Sequence, residues 1–139
     1  MRKSWQRHKN KNEKFKVAVY GTLLSGESNA HWAGNAPRRA AKITGILYDT
    51  GYGFPAFTPD PMGNTVAAEV LTVDDAGLAH LDVLEGYPRL YTRRWIEVEY
   101  EDGTTEDAQV YVMNALPDKA RMIECGDWRQ YRKGKEVTK

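Results

Sequence analysis

The sequence predicts one α+β domain in which a small, mixed but mostly antiparallel sheet curves into a barrel-like form and a helix packs against it. Five short β-prone segments are separated by turn residues, and one clear helical segment interrupts them. That order is typical of a curved or closed sheet with a packed helix. A chain of 139 residues is also long enough to bury one core.

The first two strands are predicted on either side of a loop. Residues 15–20 are β-prone, and Gly21 ends them. Residues 21–35 contain Gly, Ser and Asn without a regular period, which indicates a loop with room for a helical turn. Residues 38–49 form the second strand, and Gly45 inside it indicates a bulge or a close backbone contact.

A long irregular loop is expected before the third strand. Residues 50–63 contain six glycine and proline residues, and long loops in compact domains are often functional. Residues 65–73 then return to a β-prone composition with β-branched side chains. The sequence therefore predicts a strand that leads directly into the helical segment.

The predicted helix has a start signal, an apolar face and a stop signal. Asp74 or Thr72 can cap its first turn, because either side chain can accept a hydrogen bond from a free backbone N–H. Gly86 stands where a left-handed residue usually ends a helix, and Pro88 prevents continuation. The leucines that share the apolar face are Leu78, Leu81 and Leu84.

A hairpin completes the strand series. Residues 91–100 and 105–113 flank Asp102-Gly103, and Asp-Gly between two alternating strands is a strong hairpin signal. Polar and apolar residues alternate along the first of these strands, which predicts one exposed and one buried face. Residues 114–139 have no regular pattern and are predicted to be irregular.

Charge is distributed unevenly along the chain. The net charge is +6 over residues 1–16, −9 over residues 17–127 and +4 over residues 128–139. An acidic body argues against nucleic acid as the main partner, because phosphate binding requires cations; nucleic-acid association through the basic ends is the weaker alternative. The predicted divisions are a flexible basic tail (1–14), the domain (15–131) and a second basic tail (132–139).

Several other classes of protein and site are not indicated. Cys125 is the single cysteine, so no intramolecular disulfide can form, and a reducing, cytoplasmic location is expected. The sequence has no apolar run of the roughly 20 residues that a membrane span needs. The three histidines are scattered, so neither a metal site nor a cofactor motif is predicted. Nothing in the sequence indicates the oligomeric state.

Two short motifs could carry chemistry. Glu85 follows the apolar helix face, at the negative end of the helix, and burial there would raise its pKa to suit a group that takes and gives a proton. In the run Tyr20-Gly21-Thr22-Leu23, a glycine after a strand lets successive amides point outward and hold an anion. The structural alternatives are a solvated surface glutamate and a plain turn.

The ordered set of motifs resembles the γ-glutamylcyclotransferase-like family, specifically its AIG2-like, γ-glutamylamine cyclotransferase branch. Thr22-Leu23 replaces the Ser-Asn-Leu form of the glutathione-type branch, so glutathione is not the expected substrate. The matching pieces are Val19-Tyr20-Gly21-Thr22-Leu23, Phe54-Pro55-Ala56, Leu81-Asp82-Val83-Leu84-Glu85-Gly86-Tyr87, Tyr91 with Arg93, Val110-Tyr111-Val112 and Gly126-Asp127-Trp128.

The resemblance implies the family's barrel-like fold with a pocket, and an activity that needs neither cofactor nor metal. In that activity the α-amine of a small-molecule γ-glutamyl amide attacks its own γ-carbonyl, which releases 5-oxoproline and a free amine. Glu85 is implied as the catalytic acid and base. A domain of the same fold that binds small molecules without turnover is the alternative. The residues implied in substrate binding are Tyr20, Gly21, Thr22, Leu23, Tyr91 and Tyr111.

Overall fold

The computed structural model describes residues 14–137, so the predicted tail at residues 1–14 lies almost wholly outside the described residues. The described chain contains seven strands, two α-helices and one short 3-10 helix. The strands are β1 (Phe15–Val19), β2 (Arg38–Asp49), β3 (Pro55–Pro59), β4 (Asn64–Val73), β5 (Tyr91–Tyr100), β6 (Thr105–Met113) and β7 (Arg121–Met122). The helices are the 3-10 helix (Ala30–Ala33), α1 (Asp75–Glu85) and α2 (Trp128–Val137).

Five strands close into a barrel. They follow the order β2-β4-β1-β6-β5, and β5 pairs again with β2, where Ala41 lies opposite Tyr100. The β1–β6 pair is parallel, and the other pairs are antiparallel. The predicted α+β class, with a mixed, mostly antiparallel, barrel-like sheet and a packed helix, is confirmed.

The core fills the barrel and the space under α1. Every residue of β1 from Val17 to Val19 is buried, because the strand lies between β4 and β6 and is covered on both faces. Along β5 the alternation follows the prediction, with Val98 and Tyr100 buried and Glu97 and Glu99 exposed. The pocket described below lies at the end of β1, where the chain leaves the sheet.

Helix α1 has the predicted start, face and end. The side chain of Asp74, and not that of Thr72, accepts a hydrogen bond from the Gly77 N–H at 2.8 Å. Leu78 and Leu81 are buried on the apolar face. Gly86 ends the helix with a φ of 67°, a conformation that glycine adopts without strain. These local signals place Glu85 as the last helical residue.

The predicted loop at residues 50–63 contains a strand, so that expectation was wrong in part. Strand β3 pairs with the second half of β2 and lies outside the closed barrel. Its terminal residues Pro55 and Pro59 have a low β-propensity, so the sequence did not predict a strand here, although proline is tolerated at the ends of an edge strand. The close contact expected at Gly45 is confirmed, since a Cβ there would lie 2.4 Å from the Thr58 carbonyl oxygen.

Residues 114–139 were expected to be irregular, and this was wrong because β7 and α2 lie there. Helix α2 is mostly polar and is anchored by Trp128 and Tyr131, two aromatic residues that are too few to show a period. The helix continues past residue 131, where the second tail was expected to begin; that domain division stays a prediction. No helix within residues 14–137 is long and apolar enough to cross a membrane.

Candidate active site

A partly open cavity of about 130 Å³ lies where β1 ends and α1 ends. It is lined by buried backbone, by three tyrosines and by one carboxylate. All the site residues expected from the sequence line this one cavity, although they come from four separate parts of the chain. They are Tyr20, Gly21, Thr22, Leu23, Glu85, Tyr91 and Tyr111.

The carboxylate in the cavity lining belongs to Glu85. Burial raises the pKa of this carboxyl from 4.5 to about 7, because the charged form loses solvation. Its carboxylate has no hydrogen-bond or ion-pair partner among the residues that the structure describes. A half-buried carboxyl with a pKa near 7 and no partner can both accept and return a proton at neutral pH.

The raised pKa of Glu85 predicts a pH-dependent stability. Between pH 4.5 and about 7 the folded state binds more protons than the unfolded state, so the free energy of unfolding falls as the pH rises through this window. Glu85→Gln is expected to remove this fall and to raise the free energy of unfolding at pH 8 by about 3 kcal/mol. Denaturant titrations of both proteins at pH 5 and pH 8 measure the difference. Parallel pH profiles would contradict the burial of this carboxyl.

The turn after β1, residues 21–24, forms what is called here the amide loop. All four of its carbonyls accept protein hydrogen bonds, from Leu24 N to Gly21, Asn29 N to Thr22, Arg38 Nη1 to Leu23 and Glu27 N to Leu24, at 2.8–3.0 Å. In contrast, the N–H groups of Gly21, Thr22 and Leu23 find no acceptor within residues 14–137. Three successive free amides at the wall of a cavity form a site for a carboxylate or an oxyanion.

A partly buried ion pair supports the amide loop from behind. The Glu69 carboxylate on β4 accepts hydrogen bonds from the Ser25 N–H at 2.9 Å and from the Ser25 hydroxyl at 2.6 Å. Arg38 contacts the same carboxylate at 2.7 Å, and its second nitrogen donates to the Ala30 carbonyl at 3.1 Å. These hydrogen bonds keep the pKa of the Glu69 carboxyl low despite its burial.

Helix α2 supports the same segment from outside. Arg129 donates hydrogen bonds to the carbonyl and hydroxyl oxygens of Ser25 at 3.1 and 3.2 Å. Arg132 forms an ion pair with Glu27. The segment that follows the amide loop is therefore fixed by contacts with β2, β4 and the last helix.

The hydroxyl groups of the three cavity tyrosines each donate a hydrogen bond to an acceptor in the protein. Tyr20 donates to the Tyr111 carbonyl at 2.7 Å, Tyr91 donates to the Pro55 carbonyl at 3.2 Å, and Tyr111 donates to Asp82 Oδ1 at 2.6 Å. The hydroxyls of Tyr91 and Tyr111 thus keep lone pairs that can accept from a ligand.

The electrostatic environment of these tyrosines also favours the binding of a cation in the cavity. Burial, followed by smaller contributions that include the Glu85 charge, raises the pKa of all three hydroxyls, so they stay neutral. Of the described residues that line the cavity, none is Lys or Arg. The cavity therefore suits a ligand that has both an ammonium and an anionic group. The carboxylate and the hydroxyl lone pairs can accept from the ammonium, and the free amides can donate to the anion.

Some cavity residues were not predicted as site residues. Asn29 lines the cavity and donates from its amide nitrogen to the Thr22 hydroxyl at 3.0 Å, and no local pattern marks it. Leu90 also lines it, five residues after the last helical residue. Asp82 lies outside the lining and accepts the Tyr111 hydroxyl hydrogen bond; its position three residues before Glu85 on the helix was the available signal.

Metal ligands are not grouped in the described part of the chain. No three His, Cys, Asp or Glu side chains within it are placed to hold a metal ion. The expectation that the activity needs neither metal nor cofactor stays a prediction.

A family model described as "Gamma-glutamyl cyclotransferase, AIG2-like" matches residues 17–130, which is most of the chain. The chain belongs to this γ-glutamylcyclotransferase family. Among curated proteins, the family protein YtfP of Escherichia coli K12 is 35% identical over 116 residues, which cover 81% of this chain and 95% of YtfP. The Niallia circulans γ-L-glutamyl-butirosin B γ-glutamyl cyclotransferase is 35% identical over 122 residues, covering 82% of this chain and 75% of that protein.

Two solved structures share the fold. An AIG2-like protein from Mus musculus superimposes with a TM-score of 0.68 and 25% identity, covering 81% of this chain and 88% of that one. YkqA from Bacillus subtilis gives a TM-score of 0.74 at 23% identity, covering 90% of this chain but only 43% of YkqA. The second likeness shows the shared fold alone, and this chain spans less than half of that protein.

Proposed function

We propose that this member of the family is an enzyme that cleaves a small γ-glutamyl amide and releases 5-oxoproline with a free amine. The observation that carries the proposal is the meeting of an unpaired carboxylate of raised pKa with three unpaired backbone amides in one cavity. The name of the Niallia circulans relative, which includes a γ-glutamyl substrate, supports this reaction class.

The substrate's own α-amine is the nucleophile. Glu85 accepts a proton from the α-ammonium, and the freed nitrogen attacks the γ-carbonyl carbon to form a five-membered ring. The γ C–N bond then breaks, and Glu85 returns its proton to the departing nitrogen. The ring nitrogen gives up its second proton in the same step, so that 5-oxoproline forms and the amine leaves as an ammonium. A carboxyl with a pKa near 7 suits both transfers, because neither protonation state is strongly favoured at neutral pH.

The cavity's other groups orient the glutamyl chain. The N–H groups of Gly21, Thr22 and Leu23 donate to the α-carboxylate or to the oxyanion that develops on the γ-carbonyl. Tyr91 and Tyr111 accept from the ammonium through their free lone pairs. Ring closure of a flexible chain is mainly an orientation problem, so fixing both ends of the chain supplies a large part of the rate gain.

The test of this function is a panel of γ-glutamyl amides assayed for 5-oxoproline by chromatography. Steady release from at least one of them is expected. Tight binding without turnover across the panel would instead favour the alternative, a domain of the same fold that binds small molecules. Neither binding nor turnover would contradict both functions.

A further inference from the structure

The volume of the cavity is enough for a glutamyl group and little more. One water needs roughly 10–15 Å³ of such a volume, so about 130 Å³ holds on the order of ten small atoms. The deep wall is made of buried residues that include Tyr20, Tyr91 and Tyr111. A glutamyl group that occupies this depth leaves the departing amine at the mouth, where the lining residues reach solvent. This inference rests on the proposed function.

The mouth of the cavity has an apolar side. Leu90 is the most exposed of the described lining residues, with 48% of its surface accessible. Phe54 and Leu84, both partly buried, are apolar residues of the same lining. The polar side chains of Thr22 and Asn29 also belong to the lining, and they are hydrogen-bonded to each other.

Leu90 is held in place by its backbone. Its N–H donates to the Gly86 carbonyl at 2.9 Å, and its carbonyl accepts from the Asn114 N–H at 2.9 Å. The Asn114 side chain also donates to the carbonyls of Pro88 and Arg89 at 2.8 and 2.7 Å. A leucine fixed by four hydrogen bonds around its turn presents a preformed apolar surface, whose contact with a ligand costs little conformational entropy.

Charge near the mouth gives no site for a cationic leaving group. Glu85 is the only carboxylate among the described lining residues, and the reaction uses it. Near the lining residue Phe54, the exposed ring of Tyr52 is covered by the Lys119 ammonium at 3.8 Å from the ring centroid. A second ammonium placed there would lose solvation without gaining a counter-ion.

We propose that the leaving amine carries an apolar group, aliphatic or aromatic, that contacts Leu90, Phe54 and Leu84. The enzyme then discriminates between γ-glutamyl amides by the apolar area that the leaving group buries at the mouth. A terminal ammonium on the same leaving group removes that gain and adds a desolvation cost.

The test compares γ-glutamyl n-butylamide with γ-glutamyl 4-aminobutylamide, which differ by one terminal ammonium. We expect kcat/KM to be at least about ten-fold higher for the butylamide. Leu90→Asp should lower kcat/KM for the butylamide about ten-fold and raise it for the aminobutylamide. Met62→Asp, in a turn where the side chain is 91% exposed and away from the cavity lining, adds the same charge and should change neither value.

Two outcomes would overturn the apolar mouth: equal or reversed preference in the wild type, or an equal effect of Leu90→Asp on both amides. Calorimetric binding of both amides to Glu85→Gln separates this inference from the proposed reaction. If no amide yields 5-oxoproline, tighter binding of the butylamide still supports the apolar mouth while the reaction fails. Equal binding, or none, contradicts the apolar mouth whatever the turnover.

Discussion

Glu85→Gln is expected to lower the kcat for 5-oxoproline release by about 10³-fold, within the range that general acid–base groups contribute. Glutamine has nearly the same shape, but it cannot accept the proton of the α-ammonium. The carboxylate makes no hydrogen bond within the described structure, so its loss breaks no internal hydrogen bond. The measurement is product formation under saturating substrate, with circular dichroism to verify the fold.

The matched control is Glu97→Gln on the exposed face of β5, outside the cavity lining. It makes the same chemical change and should leave kcat unaltered. The wild-type kcat/KM should also fall on the acidic side of pH 7, since Glu85 must be ionised in the free enzyme to act as base. A Glu85→Gln protein that keeps kcat within ten-fold of wild type would remove Glu85 from the mechanism.

Gly21→Ala is expected to lower kcat/KM by about 10²-fold, the cost of displacing substrate-orienting groups by about 1 Å. A Cβ on Gly21 would lie 2.4 Å from Pro55 Cγ and 2.7 Å from Pro55 Cδ. The proline ring cannot rotate away, so the amide loop and β3 must separate. Pro55 also accepts the Tyr91 hydroxyl hydrogen bond, so the displacement reaches a second cavity residue.

The same substitution should lower the free energy of unfolding by about 1–3 kcal/mol, as overpacking in a close contact does. Gly103→Ala is the control: it lies in the β5–β6 turn with a φ of 87° and nothing within 4 Å of an added Cβ. It should cost about 1 kcal/mol in stability through backbone strain, yet leave kcat/KM unchanged. Wild-type kcat/KM in Gly21→Ala would show that the contact with Pro55 does not position the loop.

Local signals in the sequence accounted for α1 and its surroundings. Asp74, Gly86 and the leucine face act within a few residues of one another, so their effects can be judged without knowing the rest of the fold. The same holds for the Asp-Gly turn between β5 and β6. The position of Glu85 at the end of the helix therefore follows from local rules.

Elements fixed by distant partners were harder to predict. Strand β3 forms because β2 offers it an edge, and its own prolines argue against it. Helix α2 is mostly polar and depends on burying Trp128 and Tyr131. The site residues were grouped by family resemblance, since residue patterns alone do not show that Tyr20 and Tyr111 meet. Neither a residue pattern nor the family resemblance indicated that Asn29 and Leu90 line the cavity.

The contacts of the residues on either side of the amide loop also determine when the pocket can exist during synthesis. Ser25 is bonded to Arg129, 104 residues later in the chain, and the Tyr20 hydroxyl bonds to a carbonyl 91 residues away. A ribosome delivers the N-terminal partners first, at roughly 5–20 residues per second. The nascent chain therefore carries Tyr20, the amide loop and Ser25 for seconds before the distant partners of Tyr20 and Ser25 emerge. An interrupted translation product lacking α2 lacks the arginine that fixes Ser25.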